Sequence, residues 1–465
     1  MKKRSLFLWA LVVFLPLSGY AQKTWTLEEC IKYAWENNLS IKQQELGVTQ
    51  SENTHFQSKM ALAPSLNARV TENVNWGQSV DLSTLTLLNH VRSSNTGVGV
   101  YADVDLFTGL QKLNTIKQEK AKLQLAVQEV QKLRNEISIE ITRSYLNVLL
   151  ANEVLQTARQ SRESVAQQCA RSKQLVEAGS QPLSSLLEVE SQLATEELQV
   201  VDAENNVRTY MLNLKQLLDL SMDTDFQIAF PEIGNLDQME PVSVEEMYYI
   251  SQQLPQIKKT EFNLEQRKYE LAIAKGGRSP KLSLTMSYSS FYSDAGKKSS
   301  DDNGDTDPES GNTGGIGDIF GGSSAGFWDQ MKNNNNPSIG LTFTLPVFNQ
   351  WQVNTNIKNA KLAYQAAELE MKNAQQVLLK EVQQAANDAT STWLRCQASE
   401  RNVTAMQESF RYVQEKFDLG LLNGTDYTVS KTNLFQAQSK YIQSKYEHVF
   451  KLKILDFYKG NPITL

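Results

Sequence analysis

The chain alternates apolar and polar side chains in four short segments, and these segments come in two pairs. A period of two is typical of a β-strand whose two faces meet different surroundings. Because roughly 9–11 residues of a tilted strand cross a bilayer, we expect each segment to span a membrane, with lipid on one face and water on the other. The predicted strands cover residues 64–76, 96–107, 281–292 and 337–348.

Four strands are too few to close a barrel. An open sheet edge is not tolerated in lipid, because its unpaired backbone groups would have no partner. We therefore expect several copies of the chain to complete one barrel, which indicates a channel. Glu72 breaks the otherwise apolar face of the first segment. The side chains that we expect to face the lumen from the first strand pair are Asn67, Arg69, Thr71, Asp103 and Asp105.

A long helix is predicted after each strand pair. Between Leu113 and Val148 apolar residues recur at the spacings of a coiled coil. Neither proline nor glycine interrupts this pattern before Gly179, and a similar stretch ends at Gly420. Since glycine commonly follows a helix C-terminus, each long helix is expected to turn there into a return helix. We name the two turns the hairpin tips: tip 1 is residues 178–182 and tip 2 is residues 419–424.

The return helices begin with residues that favour a helix N-terminus. After tip 1, Ser185 and Glu188 have the spacing of a capping box. After tip 2, Thr425 is the predicted cap and Asp426 is an acid in the first turn.

The two halves of the chain repeat the same order of elements. Pro64 corresponds to Pro280 at one constant offset, and further on Gly179 corresponds to Gly420 at a larger one. The offset grows because the second strand pair has the longer loop. The fold class is therefore expected to be mainly α with a small transmembrane β part and an internal duplication. The predicted structural repeats are residues 22–235 and 236–465.

Two segments are expected to lie outside this framework. Residues 1–21 have the basic start, short apolar core and small residues of a secretory signal peptide. Residues 293–336 are rich in Gly, Asn, Ser and Asp, and they are interpreted as an extracellular loop that is too polar to pack.

Composition narrows the classes of function. A net charge of -6 argues against a nucleic-acid partner. Cys30, Cys169 and Cys396 are far apart and have neither metal-ligand nor disulfide spacing, so we interpret them as helix-packing residues. The sequence offers no catalytic constellation, and we predict a protein that is not an enzyme and has no cofactor or metal.

Several motifs in this order resemble the TolC-type family of bacterial outer-membrane efflux proteins. They are the opening Leu27-Glu28-Glu29-Cys30-Ile31 with Asn37-Asn38-Leu39, Pro64 before the first strand, Leu106-Phe107-Thr108-Gly109 at a strand exit, and the paired turns Gly179 with Ser184 and Gly420 with Thr425. The resemblance implies a homotrimer in a Gram-negative outer membrane, with a 12-stranded β-barrel and a periplasmic α-barrel of helical hairpins. It also implies a periplasmic adaptor and an inner-membrane pump of the RND or ABC type. The chain itself would be a passive duct whose tip helices open like an iris.

The resemblance also implies roles for residues at the tips. Asp426 falls where family members narrow the tunnel with an acidic ring, whereas the next ring position is Val429. The alternative is that Asp426 only stabilises a helix N-terminus. The implied adaptor-docking residues are Gly179, Ser180, Leu419, Gly420 and Leu421.

Two alternatives remain open at this stage. The chain could instead be an adhesin or an enzyme on a coiled-coil stalk, with the polar loop as its binding surface. Within the favoured class, drug efflux and type I protein secretion would use the same duct.

Aromatic residues near the strand ends predict a girdle at the membrane interface, with ordinary packing as the alternative. These residues are Trp76, Tyr288, Phe291, Tyr292, Phe327 and Trp328.

Overall fold

The computed structural model describes residues 24–81, 86–221, 226–231, 243–293 and 326–465. The predicted signal peptide and residues 294–325 of the predicted loop lie outside the described residues. The helices are α1 Leu27–Asn37, α2 Leu39–Met60, α3 Gln111–Glu177, α4 Leu183–Leu217, α5 Val244–Ser251, α6 Pro255–Gly276, α7 Phe327–Asn333, α8 Gln352–Asp418 and α9 Gly424–Tyr458. The strands are β1 Thr24–Trp25, β2 Ser65–Asp81, β3 Thr86–Phe107, β4 Gln227–Ile228, β5 Lys281–Ser293 and β6 Asn336–Thr344.

Six of these helices form three pairs of equal length. The long helices α3 and α8 each have 67 residues, the return helices α4 and α9 each have 35, and α2 and α6 each have 22. At a rise of 1.5 Å per residue, each 67-residue helix is roughly 100 Å long. Among the described residues, no helix is both long and apolar enough to cross a membrane.

The chain divides into two compact units. Unit 1 contains the described residues up to Leu46 together with Val127–Lys258 and Lys372–Leu465. Unit 2 contains Gly47–Ala126 and Lys259–Met371.

Unit 2 holds a four-stranded antiparallel sheet in the order β2-β3-β5-β6. Its register sorts the side chains into an apolar and a polar face. Leu66 lies beside Ala102, which lies beside Met286, which in turn lies beside Ile339. On the opposite face the next row is Asn67, Tyr101, Ser287 and Ser338. Large side chains on the apolar face are exposed, so most of this face has no protein covering it within the described chain.

The strands differ from their predicted bounds at their ends. β2 continues to Asp81 and β3 already starts at Thr86, so this hairpin is longer than the alternation predicted. Gly77 has a φ of 128° and lies at a register shift, which is where the simple period of two is lost. β6 ends at Thr344, earlier than predicted, and Pro346 follows soon after without a backbone N–H to donate.

The predicted loop of residues 293–336 is not without structure over its described part, and this expectation was wrong there. Residues 327–333 form α7, and Asn336 already belongs to β6. Phe327, Trp328 and Met331 give this short stretch several apolar side chains within a mostly polar sequence.

Unit 1 is built from packed helices and a small parallel pair of strands, β1 and β4. Met247, Ile257, Leu378, Val382 and Leu455 form one of its buried cores, shared by α5, α6, α8 and α9. Tyr145 of α3 is fully buried, and its hydroxyl donates to the carbonyl of Ala229 at 2.7 Å.

Candidate functional site

The two hairpin tips have the same backbone geometry. Gly179 has a φ of 73°, its N–H donates to the carbonyl of Val176 at 2.9 Å, and Ser180 N–H donates to Leu175 at 2.8 Å. Gly420 has a φ of 72° with equivalent bonds, to Phe417 at 3.0 Å and, from Leu421, to Lys416 at 2.9 Å. Both are Schellman turns, which need a residue in the left-handed region at the glycine position. The positive φ is why glycine is required at both tips.

Tip 2 presents apolar side chains to solvent. Leu419 is 74% exposed and Leu421 is 73% exposed, one on each side of Gly420. At tip 1, Gly179 and Ser180 are also exposed. Leucines in such positions are available for a partner.

The predicted caps of the return helices were wrong. α4 begins at Leu183 after Pro182, which makes no side-chain cap bond, so Ser185 already lies within the helix. In α9 the cap is Asn423, whose side-chain oxygen accepts from Asp426 N–H at 2.8 Å. Asn423 reaches the third residue of the helix in the usual way. Thr425 was favoured because sequence alone does not reveal that Gly424 is already helical.

Asp426 and Val429 lie on the exposed side of α9, whereas the intervening Tyr427 is fully buried. The helix therefore directs Asp426, the predicted constriction residue, away from the packed core. Asp426 also lies in the first turn, where its charge is favourable for the helix dipole.

Below the tips, helices of both hairpins share one apolar core. Val165 of α3, Val189 of α4, Phe410 and Phe417 of α8 and Tyr427 of α9 form its centre. The ring of Tyr427 lies 4.8 Å from that of Phe417 and 5.4 Å from that of Phe410. Burial, with the charges of Asp418 and Glu196 as smaller causes, raises the pKa of Tyr427 to about 12. We name this group of five residues the tip core.

Charged and polar side chains adjoin the tip core. Glu196 of α4 is fully buried and accepts from Gln192 Nε2 at 2.7 Å. Lys431 of α9 is buried too, with its Nζ 5.0 Å from the centre of the Phe410 ring. Burial lowers the pKa of Lys431, and the negative charge of Glu196 partly opposes this shift. Sequence reasoning missed both residues, since a charged residue in a heptad pattern is ordinarily solvent-exposed.

An ion pair joins the two hairpins next to their tips. Arg171 Nη1 of α3 lies 3.0 Å from Asp418 Oδ2 of α8. Gln168 Nε2 donates to the other oxygen of Asp418 at 3.2 Å. This contact, like the tip core, ties the long helix of one hairpin to that of the other.

The predicted lumen residues lie on the polar face of the sheet. Asn67, Arg69 and Asp103 line a concave region of about 490 Å³, in which the Arg69 guanidinium lies 5.5 Å from the ring centre of Tyr101. Asp105 pairs with Lys112 Nζ at 3.0 Å and accepts from Ser283 at 2.8 Å. Thr71 follows Arg69 by two residues on the same face, beside Gly97.

Glu72 lies on the apolar face, and its charge is not isolated. Its two carboxylate oxygens accept from the hydroxyls of Ser94 and Thr96 on the neighbouring strand. These hydrogen bonds reduce the cost of placing a carboxylate near the end of a largely apolar surface.

Comparison with known proteins identifies the family. The model of the outer membrane efflux protein family matches residues 30–219 and 248–456, which is most of the chain. The outer membrane protein TolC of Escherichia coli K12 is 20% identical over 370 residues, covering 78% of this chain and 68% of that protein. TolC of Salmonella enteritidis is similar at 20% identity over 371 residues, with 78% and 68% covered.

Solved structures share the fold. CusC superimposes with a TM-score of 0.75 at 16% identity, covering 96% of both chains. The CmeC outer membrane channel of Campylobacter jejuni gives a TM-score of 0.74 at 17% identity, covering 94% of this chain and 86% of that one. The prediction of an outer-membrane exit duct is confirmed. The chain belongs to the outer membrane efflux protein family, and it is an exit channel of the Gram-negative outer membrane.

Proposed function

We propose that three copies of this chain form one channel, to which each copy contributes β2, β3, β5 and β6. The observation that carries the proposal is the sheet itself, which has an apolar face with exposed large side chains and a polar opposite face. Within the described chain, β2 and β6 are the two edge strands of this sheet. Lipid would cover the apolar face, and pairing of β2 with β6 of the next copy would satisfy both edges.

The same assembly gives the polar face its role. Asn67, Arg69, Thr71, Asp103 and Asp105 would line the barrel lumen, and substrates would pass them without a fixed binding pocket. Arg69 and the two acids place both charge signs on this face, which suits a duct of low selectivity.

We further infer that the helical hairpins continue the channel as a periplasmic tunnel that narrows at Asp426. Three copies of Asp426 around one axis would repel each other and attract cations. The exposure of Asp426 on α9, opposite the tip core, supports this orientation.

The tips are the proposed docking surface for a periplasmic adaptor. Leu419 and Leu421 provide exposed apolar contacts around Gly420, and Gly179 with Ser180 provide the equivalent turn of the first hairpin. The adaptor would connect the channel to an inner-membrane pump of the RND or ABC type, which supplies the energy. Residues 22–235 and 236–465 are proposed as the two repeats, an assignment supported by the equal lengths of α2 and α6, of α3 and α8, and of α4 and α9.

Single-channel recording in a planar bilayer tests the proposal. The purified wild-type protein is expected to conduct with a preference for cations, and Asp426→Ala is expected to lower this preference. Thr425→Ala, an exposed neutral neighbour on α9, is the matched control and should leave selectivity unchanged. A cation preference that survives in Asp426→Ala would remove Asp426 from the constriction.

A further inference from the structure

The short helix α7 lies on the apolar face of the sheet, at the end of β5. Ser290 and Tyr292 continue the row of side chains that contains Met286 and Tyr288. The Ser290 hydroxyl donates to the carbonyl of Met331 at 2.6 Å, and the rings of Tyr292 and Phe327 are 4.9 Å apart. These contacts place α7 on the apolar face of the sheet, on which Met286 and Tyr288 of β5 are exposed.

Side chains of this segment also close the edge of β5. Pairing between β5 and β6 is present up to Ser289 and Asn336. Beyond that point the Gln330 amide donates to the carbonyl of Ser293 and accepts from its N–H, both at 3.1 Å. Asn334 Nδ2 donates to the carbonyl of Phe291 at 3.0 Å. These bonds replace the missing strand ladder, so α7 is held in one position on the sheet.

The outer surface of α7 carries the side chains of a membrane-interface anchor. Trp328 is 80% exposed and packs edge-on against Phe327, with ring centres 5.2 Å apart. Lys332 follows one helical turn later and is exposed beside it. An indole has an apolar body and one N–H donor, and a lysine can extend its ammonium towards phosphate, so this pair fits the headgroup layer of a bilayer. Asp329, the one acid of α7, lies in its first turn.

We propose that α7 is an interfacial helix that rests on the outer leaflet, with Trp328 among the lipid headgroups and Lys332 paired with a lipid phosphate. The inference rests on the proposed function, because it needs the apolar face of the sheet to be in lipid. Its continuity with that face, rather than α7 alone, is what favours lipid over a protein partner. It assigns the end of the long polar loop to the membrane surface.

Trp76 of β2 supplies a matched control. It is 76% exposed, and it belongs to the same side of the sheet as Leu66 and Glu72. Glu72 lies in one row with Thr96 and Tyr292, so Trp76 is four residues farther out than the level of α7. At roughly 3.3 Å per residue this is about 13 Å along the strand. Trp76 is therefore expected in water, although the sequence also suggested it for the aromatic girdle.

Fluorescence quenching by brominated lipid tests the assignment. Wild type, Trp328→Phe and Trp76→Phe would each be placed in nanodiscs of phosphatidylcholine brominated close to the headgroup, and the emission of each tryptophan obtained by difference. We expect the Trp328 component to lose a clearly larger fraction of its intensity than the Trp76 component. The Trp328 component should also be blue-shifted relative to the Trp76 component in the same nanodiscs.

Equal, weak quenching of both tryptophans would overturn the inference. A Trp328 component that is blue-shifted yet unquenched would overturn it as well, because the indole would then be covered by protein, such as a second copy. Lys332→Glu should reduce the quenching when part of the lipid is phosphatidylglycerol, and unchanged quenching would contradict the phosphate contact. Conductance of the wild type is measured in parallel. A wild-type protein that does not conduct would count against the proposed channel. A protein that conducts but has an unquenched Trp328 would count only against the assignment of α7 to the membrane surface.

Discussion

Tyr427 shows how one residue can connect two hairpins. It follows Asp426 directly, yet it is fully buried between Phe410 and Phe417. Within the described part of the chain, its hydroxyl has no hydrogen-bond partner in the structure. The ring therefore stabilises the tip core through packing alone, while the hydroxyl adds a desolvation cost.

Two substitutions separate these contributions. Tyr427→Phe keeps the ring, so we expect unchanged or slightly higher thermal stability. Tyr427→Ala leaves a cavity and is expected to destabilise the hairpins by about 3–5 kcal/mol. Thermal unfolding followed by circular dichroism at the helix band measures both. A Tyr427→Phe variant as unstable as Tyr427→Ala would mean that the hydroxyl has a partner in the assembled protein.

Alkaline pH gives a second test at the same residue. Tyrosine ionises near pH 10 in an unfolded chain, whereas burial raises the pKa of Tyr427 to about 12 in the folded one. The folded state then holds the proton more tightly, so its stabilising effect is complete below pH 10 and is lost as the pH rises to about 12. The wild type should lose about 2–3 kcal/mol more than Tyr427→Phe over this interval. Parallel pH curves for the two proteins would contradict the buried environment.

At this scale the sequence predicted the glycines of the tip turns and the residues of the polar sheet face, but not the buried charges. Gly179 and Gly420 could be assigned because a positive φ leaves few alternatives to glycine. The burial of Glu196 and Lys431 could not be predicted, because it depends on which helices pack together. The spacing of apolar residues along a single helix does not reveal its packing partners.

Among the elements, the junctions from strand to helix are under backbone strain. Gly109 and Leu110 both have positive φ after β3, and Gln350 and Trp351 both have positive φ before α8. At Gly109 a Cβ would lie 2.5 Å from the carbonyl oxygen of Gly276, so only glycine fits there. The second junction holds a glutamine in the conformation that favours glycine.

This difference predicts opposite outcomes at the two junctions. Gly109→Ala should destabilise unit 2 by more than about 1 kcal/mol, because it combines an unfavourable φ with a backbone clash. Gln350→Gly should be neutral or stabilising by up to about 1 kcal/mol, since it relieves the strain. Thermal unfolding of both variants checks the pair. A destabilising Gln350→Gly would show that its side chain makes a contact worth more than the strain.

The ion pair between Arg171 of α3 and Asp418 of α8 gives a second prediction, which concerns how the two long helices are held together. Arg171→Asp would place a second carboxylate beside that of Asp418, and their repulsion would weaken the link between α3 and α8. If tip opening limits conduction, this variant should conduct more than the wild type in planar bilayers. Asp418→Arg combined with Arg171→Asp should restore the pair and return conductance towards the wild-type value. A double variant that conducts like Arg171→Asp would show that the ion pair does not hold the tips.

The elements themselves were largely predictable, and their ends were not. Alternation and heptad spacing are local signals, so they located the strands and the 67-residue helices. The extension of β2 past Gly77, the cap at Asn423 and the helix α7 depend on local geometry or on contacts with a neighbouring strand. A polar composition concealed α7, although Gln330 of α7 and Asn334 directly after it bond to the β5 backbone in place of a paired strand.

For the whole molecule, the proposed channel depends on the edges and the apolar face of one sheet. Its sheet has two edge strands, β2 and β6, and an apolar face that the described chain leaves exposed except beside α7. Membership of the outer membrane efflux protein family explains why such a surface is kept, since the protein works in a bilayer. The number of chains in one channel is therefore the quantity to measure.

Native mass spectrometry of the protein released from gentle detergent measures this number directly. We expect one dominant species with three times the mass of the mature chain, because four strands per copy then supply a closed barrel. A dominant monomer that remains folded in detergent would contradict the account, because its strand edges would then be open in the membrane.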